Sequence, residues 1–246
     1  MNENYYNILD RIKLNVCNSI GMSDPAIVNM IDTRLRAFIE YSRLPARYYN
    51  EFIDTNVLPA ETKKLYDEIT TKITLQQNIG IKVSDFRQSG YLISCLIEKY
   101  ATTQFIQDNH LYSILYIDTN LLLSDYKKLI GRNTSKQDSV LQTPFYDLDI
   151  LYKEVYRADY IFWDKFNLFE SSYETDILYE ILSVRYMNCL GNTFVSRDGN
   201  IMGENHNNEL FKRLRDEISN VMNLSETRNL QLDKYVIVKE NVSNDW

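Results

Sequence analysis

From about residue 78 onward the chain alternates short apolar runs with longer amphipathic stretches, and this rhythm restricts the fold more than any other feature of the sequence. Segments 79–83, 112–118, 160–164 and 192–196 are short, rich in β-branched or aromatic residues and bounded by polar ones, so they are predicted strands. Between them, 91–102, 120–130, 148–157 and 173–187 carry apolar residues at helical spacing, as Ile177, Ile181 and Val184 do. Strand and helix in alternation imply an α/β fold with a parallel sheet flanked by helices, because parallel neighbours need a crossover connection. A helix over 209–220, a fifth short strand within 220–224 and a further one at 235–238 continue the pattern. The polar stretch 132–146, which contains Pro144, reads as a loop, and no internal repeat is visible.

The first fifty residues have a different texture. Tyr5, Ile8, Leu9, Ile12, Val16 and Ile20 recur at helical spacing. A second helix starts at Asp24, a good N-cap, followed by Pro25 at the first helical position, where no N–H is needed. Its apolar face is Ile27, Ile31, Leu35, Phe38 and Ile39, and Ser42-Arg43-Leu44-Pro45 ends it. The expected organisation is a small helical N-terminal region, 1–50, ahead of an α/β domain, 51–246. The helical region is either packed on the rest or a partner-binding module.

Composition narrows the function. With 27 Lys plus Arg against 34 Asp plus Glu, the formal net charge is −7, which argues against a sequence-independent nucleic-acid coat. Apolar residues at 44% are enough for a substantial core, and only 7 Gly and 4 Pro speak against a turn-rich all-β fold. No apolar stretch approaches the roughly 18–20 residues that cross a bilayer, and the first twenty residues lack the apolar core of a secretory signal, so a cytoplasmic protein without membrane contact is expected. Cys17, Cys95 and Cys189 lie far apart and the histidines are His110 and His206, so metal-ligand spacing is missing. The 19 Tyr and 10 Phe read as packing residues rather than base-stacking platforms.

In a parallel α/β sheet ligands bind beyond the carboxyl ends of the strands. After the first strand comes Ser84-Asp85-Phe86-Arg87-Gln88-Ser89-Gly90-Tyr91-Leu92, opening a helix. A phosphate loop needs several glycines, whose N–H groups cradle phosphate, and a Lys; here one Gly remains and the Lys is absent. Tyr160-Ile161-Phe162-Trp163-Asp164 has the form of a Walker B element, whose Asp supports a nucleotide-bound magnesium ion, although a strand that merely ends in Asp gives the same pattern. Lys165 follows where a hydrolytic enzyme carries a second acid. The fourth strand ends in Ser196-Arg197, at the place of a polar nucleotide sensor. Arg213, Arg215 and Arg228 are further cations able to reach phosphate, although Asp216 and Glu217 balance Arg215 on a solvated helix face. Lys127, Lys128 and Arg132, between the second and third strands, are either DNA contacts or a solvated helix end.

In their order these pieces resemble the DnaC/DnaI-type replicative-helicase loaders and the related IstB-type transposition helpers, all AAA+ ATPases. Arg43-Leu44-Pro45-Ala46-Arg47-Tyr48-Tyr49-Asn50-Glu51-Phe52 is similar to the segment before the loaders' ATPase core. Ser84 to Leu92 falls at the Walker A position and Ala158 to Asp164 at Walker B. Asp176-Ile177-Leu178-Tyr179-Glu180-Ile181-Leu182-Ser183-Val184-Arg185-Tyr186 resembles the helix that ends in an Arg-Tyr pair before sensor 1, here Asn192-Thr193-Phe194-Val195-Ser196. The resemblance covers roughly 42–230. It implies an AAA+ type P-loop core, a nucleotide site drawn from Asp85, Arg87, Gln88, Ser89, Gly90, Tyr91, Asp164, Lys165, Ser196, Arg197 and Arg228, and Arg213 as a trans-acting arginine finger.

The departures from the family are the missing Walker A Lys and glycines, Lys165 in place of the second acid, and Arg197 where sensor 1 usually has Asn. Each lost phosphate donor removes about 1.5–3 kcal/mol, so ATP with magnesium is expected to bind weakly or not at all. The expectation is a degenerate, pseudo-ATPase loader-like adaptor in DNA replication, of the kind a phage or mobile element uses on host machinery. Its partners would be a replicative helicase or a helicase loader, with self-association and single-stranded DNA as further contacts. The alternatives are a loader-mimicking regulator of a host loader or transposase, and an active ATPase with an unusual loop.

Overall fold

The structure, a computed structural model, describes residues 7–21, 23–49, 51–53, 60–74, 77–83, 86–108, 111–134, 148–166, 172–196, 209–217, 222–223 and 236–238. In chain order its elements are α1 (Ile8–Ile20), α2 (Pro25–Ser42), a 3-10 turn (Ala46–Tyr48), β1 (Glu51–Ile53), α3 (Ala60–Thr74), β2 (Ile79–Lys82), α4 (Phe86–Asp108) and β3 (Ile114–Asp118). They continue with α5 (Thr119–Thr134), α6 (Leu148–Arg157), β4 (Tyr160–Asp164), α7 (Ser172–Met187), β5 (Gly191–Ser196), α8 (Glu209–Glu217), β6 (Met222–Asn223) and β7 (Val236–Val238).

Five strands form one parallel sheet in the order β3-β4-β5-β2-β6. The α/β class, the parallel sheet flanked by helices and the helical N-terminus are as the sequence predicts, and the arrangement is compatible with the AAA+ type core that the resemblance implies. The strand expected at 235–238 exists but lies outside this sheet, where β7 pairs antiparallel with β1. Both β1 and α3 are additions to the sequence reading. Arg132 sits in α5, which runs to Thr134 and so takes the first residues of the expected loop; residues 135–147 lie outside the described residues.

Side chains of a strand alternate between faces, and here the alternation divides the core in two. Ile79, Ile81, Ile114, Tyr116, Tyr160, Phe162 and Val195 point to one face, where α1 to α4 cover them. Leu115, Ile117, Ile161, Trp163 and Phe194 point to the other, under α5 to α8. The division follows from connectivity. The β2 to β3 crossover runs along the sheet in one direction, the later ones run back, and right-handed crossovers of opposite direction must lie on opposite faces.

The N-terminal helices belong to the first of these cores. Ile8, Ile12 and Val16 of α1 and Ile31, Leu35, Phe38 and Ile39 of α2 are buried with the sheet residues. Local chemistry sets the helix ends. Asn7 accepts from Leu9 N at 3.0 Å and Gly21 closes α1 at φ +64°, while Asp24 caps α2 by accepting from Ala26 N at 2.8 Å. Arg11 and Glu98 then tie α1 to α4 through an ion pair of 2.8 Å.

On the opposite face one cation is wholly enclosed. Arg185, near the end of α7, has no exposed surface and donates to Asn192 Oδ1 (2.7 Å), Val155 O and Ala158 O (both 2.8 Å) and Gly191 O (2.7 Å). Burial pushes its pKa down to about 9, so it remains charged at neutral pH. It joins α6, α7 and β5 at the amino end of the sheet. Among the described residues no helix is long and apolar enough to cross a membrane, and no group of three His, Cys, Asp or Glu is placed to hold a metal.

Candidate nucleotide cleft

Adjacent strands β2 and β5 are followed by helices on opposite faces of the sheet, which makes their carboxyl ends the topological switch point where an open α/β sheet offers a crevice. The first turns of α4 border it, with the ends of β3 and β4. Asp164, the last residue of β4, is fully buried. One of its carboxylate oxygens accepts from the Ser89 hydroxyl of α4, and the other from Tyr116 Oη of β3 at 2.5 Å. Thr119 Oγ1 bonds the Asp164 carbonyl at 2.9 Å. Burial pushes the Asp164 carboxyl above the ordinary carboxylate range, an effect that the Ser89 and Tyr116 hydrogen bonds only partly offset. Burial beside that carboxylate likewise pushes the Tyr116 phenol up.

The neighbouring acid is also engaged. Asp118 ends β3 in register with Asp164, accepts from Leu121 N at 3.2 Å to cap α5, and takes Lys165 Nζ at 2.5 Å. Lys165 itself holds a left-handed backbone, φ +54°, which turns its ammonium back across the strand ends. Its charge is thus spent on Asp118.

The segment after β2 departs from a phosphate loop in length as well as in composition. The strand ends at Lys82 and α4 begins at Phe86. A strand–GxxxxGK[ST]–helix element places a longer glycine-bearing loop there, with successive N–H groups free to face phosphate. Arg87, Gln88, Ser89, Gly90 and Tyr91 instead all lie within α4. Gly90 serves packing: a Cβ at this position would collide with the ring of Tyr48. That ring is buried, lies 6.3 Å from the Tyr116 ring, and is covered by the Arg47 guanidinium at 4.7 Å.

Of the residues singled out from sequence, the structure brings together Ser89, Gly90, Asp164 and Lys165. Ser196 is buried at the end of β5, where its carbonyl accepts Val83 N at 2.8 Å. Arg213 is exposed on α8, 3.4 Å from Glu209. Lys127 of α5 forms an ion pair with Glu174 of α7, and Lys128 and Arg132 share its helix. Asp85, Arg197 and Arg228 lie outside the described residues. Sequence reasoning missed Tyr48, Tyr116 and Asp118 at the cleft. A signal for Asp118 was present, since Ile114-Leu115-Tyr116-Ile117-Asp118 repeats the apolar-run-plus-Asp pattern of 160–164.

Neither a protein-family model nor a curated protein matches the sequence. Among solved structures, one described as the crystal structure of the DnaI is similar over 73% of this chain and 85% of that one, with 11% identity and a TM-score of 0.44.

Proposed function

We propose that this protein is a helicase-loader-like adaptor in DNA replication, built on an AAA+ type core that has lost its nucleotide chemistry. The observation that carries the reading is Asp164. It bonds to the helix after β2, so it joins the two elements where the loader resemblance sets Walker A and Walker B, yet Ser89 and Tyr116 take both of its oxygens. A magnesium-bound nucleotide would compete with these two hydroxyls for a carboxylate already engaged, in a site that has no phosphate-loop Lys. The adaptor therefore acts by binding, with 1–50 as the partner-facing region and Arg213, exposed on α8, available at a contact between subunits.

Co-purification with a hexameric replicative helicase is the direct assay, and no association at low salt, with or without ATP, overturns the reading. ATP turnover is expected at background in the native chain and unchanged in Asp164→Ala. Turnover that this substitution abolishes would instead establish an active ATPase.

The filled cleft also favours a second reading, in which the protein mimics a loader and blocks or redirects a host loader or transposase, since a chain without an ATP cycle can occupy a partner without releasing it. Helicase loading on single-stranded DNA separates the two: the adaptor stimulates it and the mimic inhibits it. Single-stranded DNA contact is assigned to the α5 end. Charge reversal at Lys128 and Arg132 is expected to weaken it and flatten its salt dependence, as for any contact that neutralises phosphates; unchanged binding would remove α5 from the interface.

A further inference from the structure

The two carboxylates at the strand ends belong to one place. Asp118 and Asp164 are partners in register on neighbouring parallel strands, so both side chains leave the sheet on the same face. Burial is the main cause of the raised Asp164 carboxyl, but Asp118 adds to the rise and Lys165 opposes it, so the three groups act on one another. An extended residue after Asp164 would point to the opposite face. Lys165 instead has φ +54°, an uncommon conformation for a residue with a side chain, and its ammonium comes back to Asp118 Oδ2 at 2.5 Å. Lys165 keeps 28% of its side chain exposed and Asp118 only 6%, so the lysine is the solvent-facing partner of a nearly enclosed carboxylate.

A divalent cation does not fit these strand ends as they stand. Magnesium and manganese are hard ions that one or two carboxylates can hold while water completes the shell. The hydroxyls of Ser89 and Tyr116 and the N–H of Leu121 each leave a further lone pair on the oxygen they bond, so they compete with a cation without repelling it. The ammonium is different, because it sets a full positive charge on the remaining carboxylate oxygen. A second cation, Arg47, is near enough to act on Asp118, but its guanidinium bonds Tyr48 Oη at 2.8 Å and covers that ring.

We propose that Lys165 is a built-in counter-ion: its ammonium takes, on Asp118, the place that a divalent cation would have at the strand ends, so the chain holds this carboxylate pair without metal and excludes one. The proposal deepens the reading of these strand ends as a nucleotide site that has lost its chemistry, and it rests on that reading. It assigns part of the loss to a charge gained after β4, besides the Lys missing after β2.

Lys165→Met tests this, because it keeps an unbranched side chain and removes the charge. Manganese binding, read from the EPR signal of the free ion, is expected to be at least about tenfold tighter in Lys165→Met than in the native chain, since a repelling charge beside the ion has gone. Magnesium is expected to raise the urea midpoint of Lys165→Met and to leave that of the native chain unchanged, because an ion that binds the folded state alone stabilises it. Lys165→Arg keeps the charge and is expected to behave as the native chain does. Adding Asp118→Asn to Lys165→Met is expected to remove the gain while keeping an acceptor for Leu121 N. Manganese bound no more tightly by Lys165→Met than by the native chain overturns the proposal. So does a gain that survives Asp118→Asn, which would put the ion elsewhere. If Lys165→Met folds only with manganese present, the proposal is supported; if it folds under neither condition, Lys165→Gln, whose amide can still donate to Asp118, carries the same comparison. None of these measurements involves helicase or nucleotide, so the counter-ion can fail while the loader reading stands, and the reverse.

Discussion

Arg185→Met is expected to unfold at lower urea than the native chain, with a stability loss of about 3–5 kcal/mol. From α7 the guanidinium serves four acceptors on two neighbouring segments: Val155 O and Ala158 O at the end of α6, and Gly191 O and Asn192 Oδ1 at the start of β5. Bonds to a charged donor contribute about 1.5–3 kcal/mol each, and the cost of enclosing the charge, visible in its lowered pKa, offsets part of that total. Methionine removes the charge and its desolvation cost, but it leaves three carbonyls facing an apolar chain. Asn192 Oδ1 fares better, because Trp163 Nε1 still donates to it at 3.1 Å. Lysine is a poor rescue, since one ammonium cannot span acceptors that a planar fork reaches. Arg36→Met provides the control, because Arg36 is 58% exposed in its pair with Asp32 and its loss is expected to leave the urea midpoint nearly unchanged. An Arg185→Met midpoint indistinguishable from that of Arg36→Met would refute this account of the α6–α7–β5 junction.

Substitutions at Asp164 divide by whether they keep the hydrogen bonds. Asp164→Ala strands the Ser89 and Tyr116 hydroxyls in a buried site, and each unpaired group costs about 1–3 kcal/mol, so a loss of about 2–4 kcal/mol is expected. Asp164→Asn keeps one acceptor and adds a donor to which either hydroxyl can turn, and it removes the buried charge. The pH dependence fixes the sign. Burial raises the folded carboxyl above its unfolded value, so the native chain holds this proton where the unfolded chain has already released it. Stability from this group is complete below the unfolded value and is lost as pH rises through the raised one. Asp164→Asn therefore gains on the native chain over that interval and keeps the gain at neutral pH. Urea midpoints for both proteins, measured from the acid side to neutrality, give the comparison; a native chain that instead gains on Asp164→Asn with rising pH would show that a cation outweighs burial at this carboxylate.

Segments whose burial pattern is local were legible in the sequence. The strand at 160–164 and the helix at 148–157 fall where periodicity sets them, because consecutive side chains either all enter the core or line one stripe of it. The Asp24-Pro25 start of α2 was likewise readable from its own chemistry. Elements whose justification is distant were harder to see. α3 buries Tyr66, Ile69 and Ile73, a helical spacing present in the sequence but diluted by Lys63, Lys64, Asp67 and Glu68. β1 has three residues and exists through pairing with β7, almost two hundred positions away. α4 extends well beyond the predicted 91–102 at both ends, because the helix begins where a loop was expected after β2.

The cleft follows the same division. Asp164 and Ser89 could be nominated from their places after strands. Tyr48 could not, since it comes from a different part of the chain and only the missing Cβ of Gly90 hints at its neighbour. Arg185 was noticed as half of an Arg-Tyr pair. Its structural role, closing four hydrogen bonds inside the second core, follows from positions that no spacing rule connects.

The 23 residues of α4 make a rod of about 34 Å, long enough to pack against α1 and α3 and still border the carboxyl ends of the strands. The Arg11–Glu98 pair fastens α1 to this rod about 12 Å along its axis from Gly90. Between those points the rod has neither proline nor a second glycine to act as a hinge. Under the proposed adaptor reading, a displacement of α1 is expected to reach the carboxyl ends of the strands through this rod with little bending, as a handle moves a jaw.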